Sequence, residues 1–357
     1  MNFLAGVKKR AKKLQKSIIF PEASEERTFK AVETILKEKT CRPILIGKED
    51  ALHARAQELG LKINWEKVRI IDHTDPKIQK VYAQELYNIR KDKGMTEDEA
   101  KKLLNDVNYF GVMTVQLGGA DGMVSGAISS TADTIRPALQ IIKTKEKFHK
   151  VSSIFFMVFE NRLLLFADCA INPEPNSHDL ADIAIDTAET AQRFGIVPKI
   201  AMLSFSTAGS AKHPNVDKVK EAVALIRDSR PDLIVEGEMQ VDAALVPEIT
   251  TKKFPASVIK GDANILIFPS LEAGNISYKL VERLAGAKAV GPLLQGLKKP
   301  VNDLSRGCSS RDIADLAAIT ACESEEMMYE VKYGKLYARS NTAERKSRLA
   351  RLIKKNK

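Results

Sequence analysis

Short runs of apolar and β-branched residues alternate along this chain with longer stretches in which apolar residues recur at helical spacing. The short runs predict strands, and they lie at 17–21, 43–47, 68–71, 122–124, 155–159, 163–167, 199–204, 233–236 and 265–268. Helical spacing follows the first two runs, at 25–37 and 49–58, and residues 1–17 fit a short amphipathic helix. The alternation predicts an α/β fold with largely parallel sheets and helices on both faces, and the runs at 155–159 and 163–167 predict a hairpin.

The composition is typical of a globular protein, because 44% of the 357 residues are hydrophobic and 29% are charged. No apolar run approaches the length of a membrane span, and the N-terminal residues lack the apolar core of a signal peptide. We therefore expect a cytoplasmic protein with no membrane partner. The four cysteines are widely spaced, and the five histidines show no paired-ligand spacing, so we expect neither a disulfide framework nor a metal site.

The net charge of +10 is concentrated at the end of the chain. Residues 332–357 carry a series of lysines and arginines that only Glu344 opposes. A nucleic-acid or membrane surface is one interpretation of such a tail. A solvated, partly helical tail is favoured, because aromatic residues are sparse there and no nucleic-acid recognition motif is present.

Three loops that follow predicted strands are rich in Gly, Ser, Thr and Asn, and they lie at 125–131, 204–212 and 269–275. Ligands of open α/β sheets bind at the carboxyl ends of strands, although such residues also form ordinary turns. Ser129, Ser130 and Thr131 are the stronger candidates, because they lead into Arg136 near a predicted helix start. Neither a P-loop nor a G-x-G-x-x-G pattern is present.

The most informative stretch lies at 299–312, where Ser305, Arg306 and Asp312 occupy a polar loop that leads into a helical pattern. Free N–H groups at a helix start favour an anion, and a guanidinium matches phosphate or carboxylate. A structural interpretation stands beside this one, because Ser309 and Asp312 also fit a capping box, which would only begin the helix. Cys308 has no histidine near it in sequence, so we interpret it as a packed side chain and not as a nucleophile.

The same stretch resembles the phosphate acetyl/butyryltransferase family, the phosphotransacetylases. The similarity covers most of the chain up to about residue 323, in the runs YNIRKDKG (87–94), DGMVSGAISSTADTIRPALQIIKT (121–144), AMLSFSTAGSAKHP (201–214), EGEMQVDAALVP (236–247), ANILIFPSLEAGNISYK (263–279) and NDLSRGCS (302–309). The resemblance implies two αβα domains with largely parallel sheets flanking a cleft, as in isocitrate and isopropylmalate dehydrogenases. Domain I would comprise 1–148 and 293–357, and domain II would comprise 149–292.

The resemblance also implies a reversible reaction in which acetyl phosphate and coenzyme A give acetyl-CoA and phosphate. Coenzyme A would be a substrate, no cofactor would be tightly bound, and the enzyme would be a homodimer. The route would be direct attack by the thiolate in a ternary complex. Asp312 would take the thiol proton, Ser305 would hydrogen-bond to the oxyanion, and Arg306 would bind the phosphoryl group.

Further substrate contacts are implied in the same way. Arg90 and Arg136 match arginines that hold the anionic substrate in the family. The other implied contacts are Ser129, Ser130, Thr131, Asn275, Tyr278 and Lys279. Some family members carry a cysteine in the loop that corresponds here to 159–163, where this chain has none, so no catalytic cysteine is transferred.

Three alternatives stay open on the sequence. A phosphate butyryltransferase or another short-chain acyltransferase would use the same chemistry, because one methylene changes binding by only about 1–3 kcal/mol. A decarboxylating dehydrogenase of the same fold would need clustered aspartates and a nicotinamide site, and we find neither pattern. A nucleic-acid-binding or regulatory protein would act through the basic tail at 332–357.

Overall fold

The structure is a computed structural model and describes residues 3–145 and 150–325. Within those ranges the chain forms two compact units. The terminal unit comprises residues 4–143 and 297–325, and the central unit comprises 144–296 together with residue 3. The domain boundaries expected from the sequence, at 148/149 and 292/293, stay a prediction. The basic tail at 332–357 lies outside the described residues.

The terminal unit contains a five-stranded sheet in the order β11-β4-β1-β2-β3, and all its pairs are parallel. Its strands are β1 (Ser17–Phe20), β2 (Arg42–Ile46), β3 (Arg69–Ile71), β4 (Gly122–Ser125) and β11 (Val301–Asp303). The central unit contains a six-stranded sheet in the order β10-β5-β6-β9-β7-β8. Its strands are β5 (Ser152–Val158), β6 (Leu163–Ala167), β7 (Lys199–Leu203), β8 (Ile234–Met239), β9 (Ile265–Ile267) and β10 (Lys288–Gln295).

Helices connect the strands of both sheets. Those of the terminal unit are α1 (Phe3–Leu14), α2 (Glu26–Glu38), α3 (Glu49–Glu58), α4 (Pro76–Arg90), α5 (Glu97–Leu103), α6 (Val107–Gln116), α7 (Thr131–Ile141) and α13 (Ser310–Glu323). Those of the central unit are α8 (Ser177–Arg193), α9 (Pro214–Ser229), α10 (Val241–Leu245), α11 (Pro247–Lys253) and α12 (Leu271–Ala285). None of the helices in the described ranges is long and apolar enough to cross a membrane.

Two glycines show that helices cover both faces of the five-stranded sheet. A Cβ atom at Gly122 of β4 would lie 2.7 Å from Cγ2 of Thr320 on α13. A Cβ atom at Gly111 of α6 would lie 2.9 Å from Sδ of Met123 on the same strand. Successive strand residues point to opposite faces, so α13 and α6 pack on opposite sides of β4. The close approach explains why glycine occupies both positions.

One hydrophobic core of the central unit lies between one face of its sheet and the helices that cover that face. Phe155, Leu164 and Phe166 of two neighbouring strands contribute to this core, and the ring of Tyr278 on α12 packs against it. Strands β5 and β6 pair antiparallel, and the remaining pairs from β6 through β9 and β7 to β8 are parallel. The sheet is therefore largely parallel, with an antiparallel edge formed by β10 and β5.

The predicted α/β class with two largely parallel sheets is confirmed, as are the hairpin of β5 and β6 and the N-terminal helix α1. β10 and β11 were not predicted from the sequence. In β10 the register shifts between Val290 and Leu293, and Pro292 interrupts the apolar run there. β11 has only three residues, two of which are the buried polar residues Asn302 and Asp303. Neither strand therefore shows the apolar run that predicts a strand.

Candidate active site

The carboxyl ends of two neighbouring strands bring the predicted site loops together. β11 and β4 are parallel, and Asp303 lies opposite Ser125 in their register. The loop 126–130 follows β4 and leads into α7, and the loop 304–309 follows β11 and leads into α13. The N-termini of α7 and α13 consequently lie together at the carboxyl ends of these strands. The N–H groups in the first turn of each helix have no intrahelical acceptor.

Glu22 fixes the first of these loops. Its carboxylate accepts the N–H groups of Gly126 (2.9 Å), Ala127 (2.7 Å), Ile128 (3.2 Å) and Ser129 (2.7 Å). Glu22 is buried at 5% exposure, so the charge is solvated by backbone dipoles and not by water. The N–H groups of 126–129 are therefore occupied within the protein, and substrate contacts from this loop fall to the hydroxyl groups and to α7.

Asp303 lies beneath the junction of the two loops. Its side chain is 1% exposed, and the hydroxyl groups of Thr131 and Thr134 hydrogen-bond to its carboxyl group. Burial raises the pKa of Asp303 to about 6, against the lowering effect of those hydrogen bonds. Gly126 has φ +109°, and a Cβ there would lie 2.3 Å from Oδ1 of Asp303, so only glycine fits beside this carboxyl group.

Arg27, at the start of α2, joins the two loops. Its Nη1 donates to the carbonyl oxygens of Arg306 (2.7 Å) and Cys308 (3.0 Å), and its Nη2 donates to the carbonyl oxygen of Ala127 (2.8 Å). Its Nε donates to Glu25 at 2.6 Å, and this hydrogen bond raises the pKa of Arg27 above its ordinary value. One planar guanidinium thus sets the spacing between the loop after β4 and the loop after β11.

Ser305 and Arg306 are the most accessible of the predicted catalytic residues. Both side chains are exposed at the tip of the loop after β11. The Oγ of Ser305 accepts the N–H of Gly307 at 3.3 Å and can still donate its own proton. No ion pair or side-chain hydrogen bond joins the guanidinium of Arg306 to another described residue, so all its donors remain available to an anion.

Asp312 takes part in the capping box that the sequence predicted as the alternative interpretation. The Oγ of Ser309 accepts the N–H of Asp312 at 3.2 Å. In return, Oδ2 of Asp312 accepts the N–H (2.9 Å) and the Oγ–H (2.7 Å) of Ser309. The structure therefore shows the capping role directly, and Asp312 lies half-buried in the first turn of α13, close to Ser305 in sequence.

Cys308 has the properties of a packed thiol. Burial raises its pKa to about 11, Arg27 acts in the opposite direction, and the charge of Asp312 adds to the increase. Burial likewise raises the pKa of Cys169 in the central unit well above its ordinary value. A thiol in such surroundings is almost entirely protonated at neutral pH and is a poor nucleophile.

Ser129, Ser130 and Thr131, the three hydroxyl residues predicted to contact substrate, have three different structural roles. Ser130 begins α7 as its N-cap, where its Oγ accepts the N–H of Asp133 at 3.2 Å. The Oγ of Ser129 accepts Nδ2 of the buried Asn108 at 3.1 Å. Thr131 is the first helical residue and hydrogen-bonds to Asp303. All three hydroxyls lie at the N-terminus of α7. Those of Ser130 and Thr131 donate their protons to Asp133 and Asp303, so the hydroxyl of Ser129 is the one that can donate to a bound anion without giving up a carboxylate partner.

Arg90 and Arg136 lie on different helices and share Tyr109 as a neighbour. Both cations act on the hydroxyl of Tyr109, whose pKa burial raises and these two charges lower. Among the described residues the guanidinium of Arg136 makes a single ion-pair contact, a long one of 3.8 Å with Asp133, and 59% of its side chain is exposed. The Nε of Arg90 is buried and has no acceptor among the described residues. Two under-paired guanidinium groups therefore lie beside α7, the helix that begins at the site.

Asn275, Tyr278 and Lys279 belong to the central unit and lie on α12. Nδ2 of Asn275 donates to the carbonyl oxygen of Cys169 (3.0 Å), and Nζ of Lys279 donates to Oδ1 of Asn275 (2.7 Å). The ring of Tyr278 stacks on Phe155 with centroids 4.1 Å apart, and burial raises its pKa to about 12. Within this unit Tyr278 therefore packs against the hydrophobic core, whereas Lys279 is exposed at the helix surface.

Three residues that organise the site were not singled out by the sequence analysis: Glu22, Arg27 and Asp303. Glu22 follows β1, so its position after a strand was a usable signal. Asp303 lies within the NDLSRGCS run, but β11 was not recognised as a strand. Arg27 gave no local signal for its role in the site, because the backbone carbonyl oxygens that it binds lie 100 to 281 residues away in sequence. Across residues 3–145 and 150–325 no group of three or more His, Cys, Asp or Glu side chains could hold a metal ion.

Taken together, these loops can bind and polarise a tetrahedral anion. Two helix N-termini and the unpaired guanidinium of Arg306 supply positive potential, and Ser305 supplies a hydroxyl donor. Asp312 supplies a carboxylate that can accept a proton.

Known proteins provide an independent comparison. The sequence profile of the family described as phosphate acetyl/butaryl transferase matches residues 2–321. A curated relative from Bacillus subtilis (strain 168), a phosphate acetyltransferase, is 52% identical over 308 residues, which cover 86% of this chain and 94% of the relative. A phosphate acetyltransferase from Clostridium acetobutylicum is 47% identical over 332 residues, which cover 91% and 99%. The solved structure of EutD phosphotransacetylase from Staphylococcus aureus superposes with a TM-score of 0.83 at 47% identity, covering 90% of this chain and 98% of that one.

Proposed function

Because the chain belongs to the phosphate acetyl/butaryl transferase family, we propose that it transfers an acetyl group reversibly between acetyl phosphate and the thiol of coenzyme A. It is an enzyme of the transferase class. The observation that carries the assignment of the site is the loop after β11, where Arg306 is exposed without a partner among the described residues and Ser305 lies next to it. The site would use coenzyme A as a substrate and would need no tightly bound cofactor.

The chemistry makes three demands on the site. The thiol of coenzyme A must lose its proton, because a thiol with a pKa of about 8.5 is only a few per cent ionised at neutral pH. The carbonyl oxygen becomes an oxyanion when sulfur adds to the carbonyl carbon, and this oxyanion needs hydrogen-bond donors. The phosphate leaves with the electron pair of the C–O bond, and its charge needs a cation.

The residues of the loop after β11 meet these demands in the proposed mechanism. The carboxylate of Asp312 accepts the thiol proton as the S–C bond forms, and Ser305 donates to the oxyanion. When the C–O bond to the phosphoryl group breaks, Arg306 binds the departing phosphate in a bidentate manner. Asp312 then returns its proton to phosphate, so one proton and one electron pair move from thiol to leaving group and the step balances.

The capping box limits the part that Asp312 plays. Oδ2 already accepts two hydrogen bonds from Ser309, and hydrogen bonds to a carboxylate favour its ionised form. The same hydrogen bonds orient the carboxylate so that it can accept a proton. Because they favour the ionised form, they also make it a weaker base. We propose that capping fixes the orientation of Asp312 while its carboxylate serves as base.

The remaining predicted residues bind substrate in this proposal. Arg90 and Arg136 attract the anionic substrate, and their incomplete pairing in the structure supports that role. The N-terminus of α7, with Ser129, Ser130 and Thr131, contacts phosphate. We assign further substrate contacts to the residues of the central unit, which are Asn275, Tyr278 and Lys279.

A cytoplasmic homodimer is part of the proposal. The support within the central unit is a row of exposed apolar side chains on α12, at Ile276, Leu280 and Leu284, which are 57%, 51% and 82% exposed. Residues spaced by four lie on one helix face, and a second copy of the chain would bury that face. Replacement of Leu280 and Leu284 by Glu should convert a dimer into a monomer in sedimentation experiments.

The direct test of the function is thioester formation, followed by ultraviolet absorbance, with acetyl, propionyl and butyryl phosphate compared as donors. We expect acetyl phosphate to give the highest kcat/KM. A preference for butyryl phosphate would move the assignment to phosphate butyryltransferase. Absence of thioester formation with all three donors in a folded protein would contradict the proposal.

A further inference from the structure

A large cavity opens at one end of the strands of the five-stranded sheet, and the candidate active site lies at the other end. Its volume is about 1010 Å³, and all the residues that line it belong to the terminal unit. Ser17, Arg42 and Arg69 of its lining are the first residues of β1, β2 and β3. The cavity therefore lies at the amino ends of these strands, and β1 and β2, with four and five residues, separate it from the carboxyl edge by about 13 Å or more.

The lining of this amino-edge cavity is strongly cationic. It includes Lys12, Lys39, Arg42, Lys67 and Arg69, and the only carboxylate in the lining is that of Glu66. Within the described part of the chain, four of the five cations form no ion pair or hydrogen bond through their side chains. The fifth, Arg69, donates Nη1 to the carbonyl oxygen of Gly119 at 3.1 Å and has no carboxylate partner there. Unpaired charges of one sign around a concavity repel one another and attract an anion.

The walls between these cations are apolar. Leu36, Pro43, Ile44 and Val68 contribute to the lining, and all but Leu36 are buried. A volume near 1000 Å³ is at the upper end of the range of small-molecule sites, and apolar walls with a few charged groups are typical of such sites. The cavity is consequently suited to a ligand that has both an anionic and an apolar part.

The rim of the cavity is held in a fixed shape. Nε2 of Gln15 donates to the carbonyl oxygens of Lys12 and Lys39, each at 2.8 Å. Gln15 and Lys39 both have left-handed backbone conformations, with φ of 47° and 59°. Non-glycine residues adopt this conformation at some cost, so the rim is built by specific contacts rather than left to a loose surface loop.

From this arrangement we propose that the amino-edge cavity binds a phosphorylated small molecule that carries at least two negative charges and an apolar moiety. The cations contact the phosphate groups, and the aliphatic wall contacts the apolar moiety. No aromatic side chain lines the cavity on which the successive bases of a single-stranded nucleic acid could stack, so phosphate and aliphatic contacts, and not base stacking, hold the ligand. The site is separate from the acyl-transfer site, and the proposal does not depend on the function proposed above.

The test uses the full-length protein, with ATP and inorganic tripolyphosphate as probes in isothermal titration calorimetry. Trp65 is the sole tryptophan of the chain and directly precedes two lining residues, so its fluorescence gives a second readout. We expect one ATP per chain at the cavity, weaker binding of tripolyphosphate because it lacks an apolar moiety, and a Kd that rises with salt. The double variant Arg42→Ala/Arg69→Ala should raise the Kd for ATP about tenfold or more.

Two further variants keep the test decisive. Arg69 also donates a hydrogen bond to Gly119, so Lys12→Ala/Lys67→Ala serves as a second cavity variant, which breaks no side-chain hydrogen bond or ion pair among the described residues. The matched control is Lys62→Ala/Lys80→Ala, which removes the same charge from exposed side chains outside the cavity and should leave the Kd unchanged.

Four outcomes would overturn the proposal. The first is that neither probe binds, and the second is that ATP binds equally well to both cavity variants and to the control. The third is that Arg306→Ala abolishes ATP binding while the cavity variants do not, which would assign ATP to the carboxyl edge. If an oligonucleotide binds more tightly than ATP and the cavity variants release it, the surface recognises a polymer, and the small-molecule proposal is wrong.

Discussion

The guanidinium of Arg27 donates a 2.7 Å hydrogen bond to the backbone carbonyl oxygen of Arg306. Arg306, whose side chain is exposed, is therefore positioned through its main chain by a second arginine, Arg27, which is 279 residues away in sequence. Because Arg27 also holds Ala127 at 2.8 Å, the spacing between the two site loops depends on one side chain. A site that must place several donors around one reacting group benefits from such a fixed spacing.

Replacement of Arg27 by Gln should therefore impair acetyl transfer without direct loss of a substrate contact. The variant loses the bonds to three backbone carbonyl oxygens, so we expect a stability loss of about 1–3 kcal/mol and a fall in kcat of roughly tenfold. Arg27→Lys should recover only part of the activity, because an ammonium group cannot reproduce the planar fork. Steady-state kinetics and thermal unfolding measure both effects.

The control for Arg27 is Arg55→Gln, in which an exposed arginine of the same unit loses a 3.0 Å pair with Glu58. That variant should retain wild-type kcat, because exposed pairs contribute little. Wild-type kcat in Arg27→Gln would show that the two loops keep their spacing without this side chain.

Arg306→Ala should weaken the use of acetyl phosphate more than the use of coenzyme A. The lost guanidinium faces the phosphoryl group in the proposed mechanism, and a charge-assisted hydrogen bond contributes about 1.5–3 kcal/mol. Its side chain has no partner among the described residues, so the thermal midpoint should hardly change. Arg306→Lys should rescue only in part. An unchanged KM and kcat for acetyl phosphate in the Ala variant would remove Arg306 from the mechanism.

The two roles of Asp312 can be separated because its capping partner is a different residue, Ser309. Ser309→Ala removes the cap but keeps the carboxylate, and should cost about 1 kcal/mol of stability with near-normal turnover. Asp312→Asn keeps the size and removes the base, and should lower kcat about 10²–10⁴-fold with little change in either KM. The defect of Asp312→Asn should shrink as the pH approaches the thiol pKa, because coenzyme A then ionises without help.

The opposite pattern would decide for the helix cap. If Asp312→Asn retained wild-type kcat at neutral pH and both variants lost similar stability, the carboxylate would have no role in proton transfer. Circular dichroism confirms in each case that α13 is still folded.

Cys308→Ala should retain acetyl transfer within about threefold. The thiol has a pKa raised to about 11 by burial, so it is almost fully protonated at neutral pH and does not attack the substrate. An acetyl-enzyme detected by mass spectrometry in the wild type and absent in the variant would contradict the direct route. Cys41→Ala in the buried core serves as the control, since its pKa is raised to about 12 by burial.

How far the sequence predicted this protein depends on how local each determinant is. The fold class, the hairpin and the capping box were predictable, because apolar alternation and the Ser309–Asp312 spacing lie within a few residues of one another. Arg27 and β11 were not predictable, and for Glu22 only the position after a strand was, not its hydrogen-bond partners. The four N–H groups that bind Glu22 are 104 to 107 residues away, and β11 is a strand only because β4 pairs with it. Long-range contacts of this kind leave no periodic signal.

The site loops show the same limit in their chemistry. Their content of Gly, Ser, Thr and Asn predicted a ligand-binding site at the strand ends, and the loop after β4 does direct four N–H groups at a carboxylate. That carboxylate belongs to Glu22 of the protein itself. The sequence predicted a binding loop and could not predict that an internal acceptor would occupy its N–H groups.

Asp303 gives a prediction for the dependence of stability on pH. Its pKa is raised from an ordinary value of 3.8 to about 6 in the folded protein, chiefly by burial. Below pH 4 both states are protonated, and the group has no effect. Between about pH 4 and pH 6 the unfolded state ionises first, so the free energy of unfolding falls as the pH rises. Above pH 6 the full cost of the buried charge remains.

Asp303→Asn cannot ionise and should therefore escape this decrease. The amide can change the free energy of unfolding by an amount that does not depend on pH. On top of that constant, the free energy of unfolding of the variant minus that of wild type should rise by roughly 2–3 kcal/mol between pH 4 and pH 7, because one pKa unit corresponds to about 1.4 kcal/mol. Denaturant unfolding at a series of pH values measures this difference. Asp98→Asn is the control, because 93% of that side chain is exposed, and its difference from wild type should stay flat. A flat difference for Asp303→Asn as well would show that the carboxyl group of Asp303 is already ionised at pH 4 in the folded protein, and the effect attributed to burial would then be wrong.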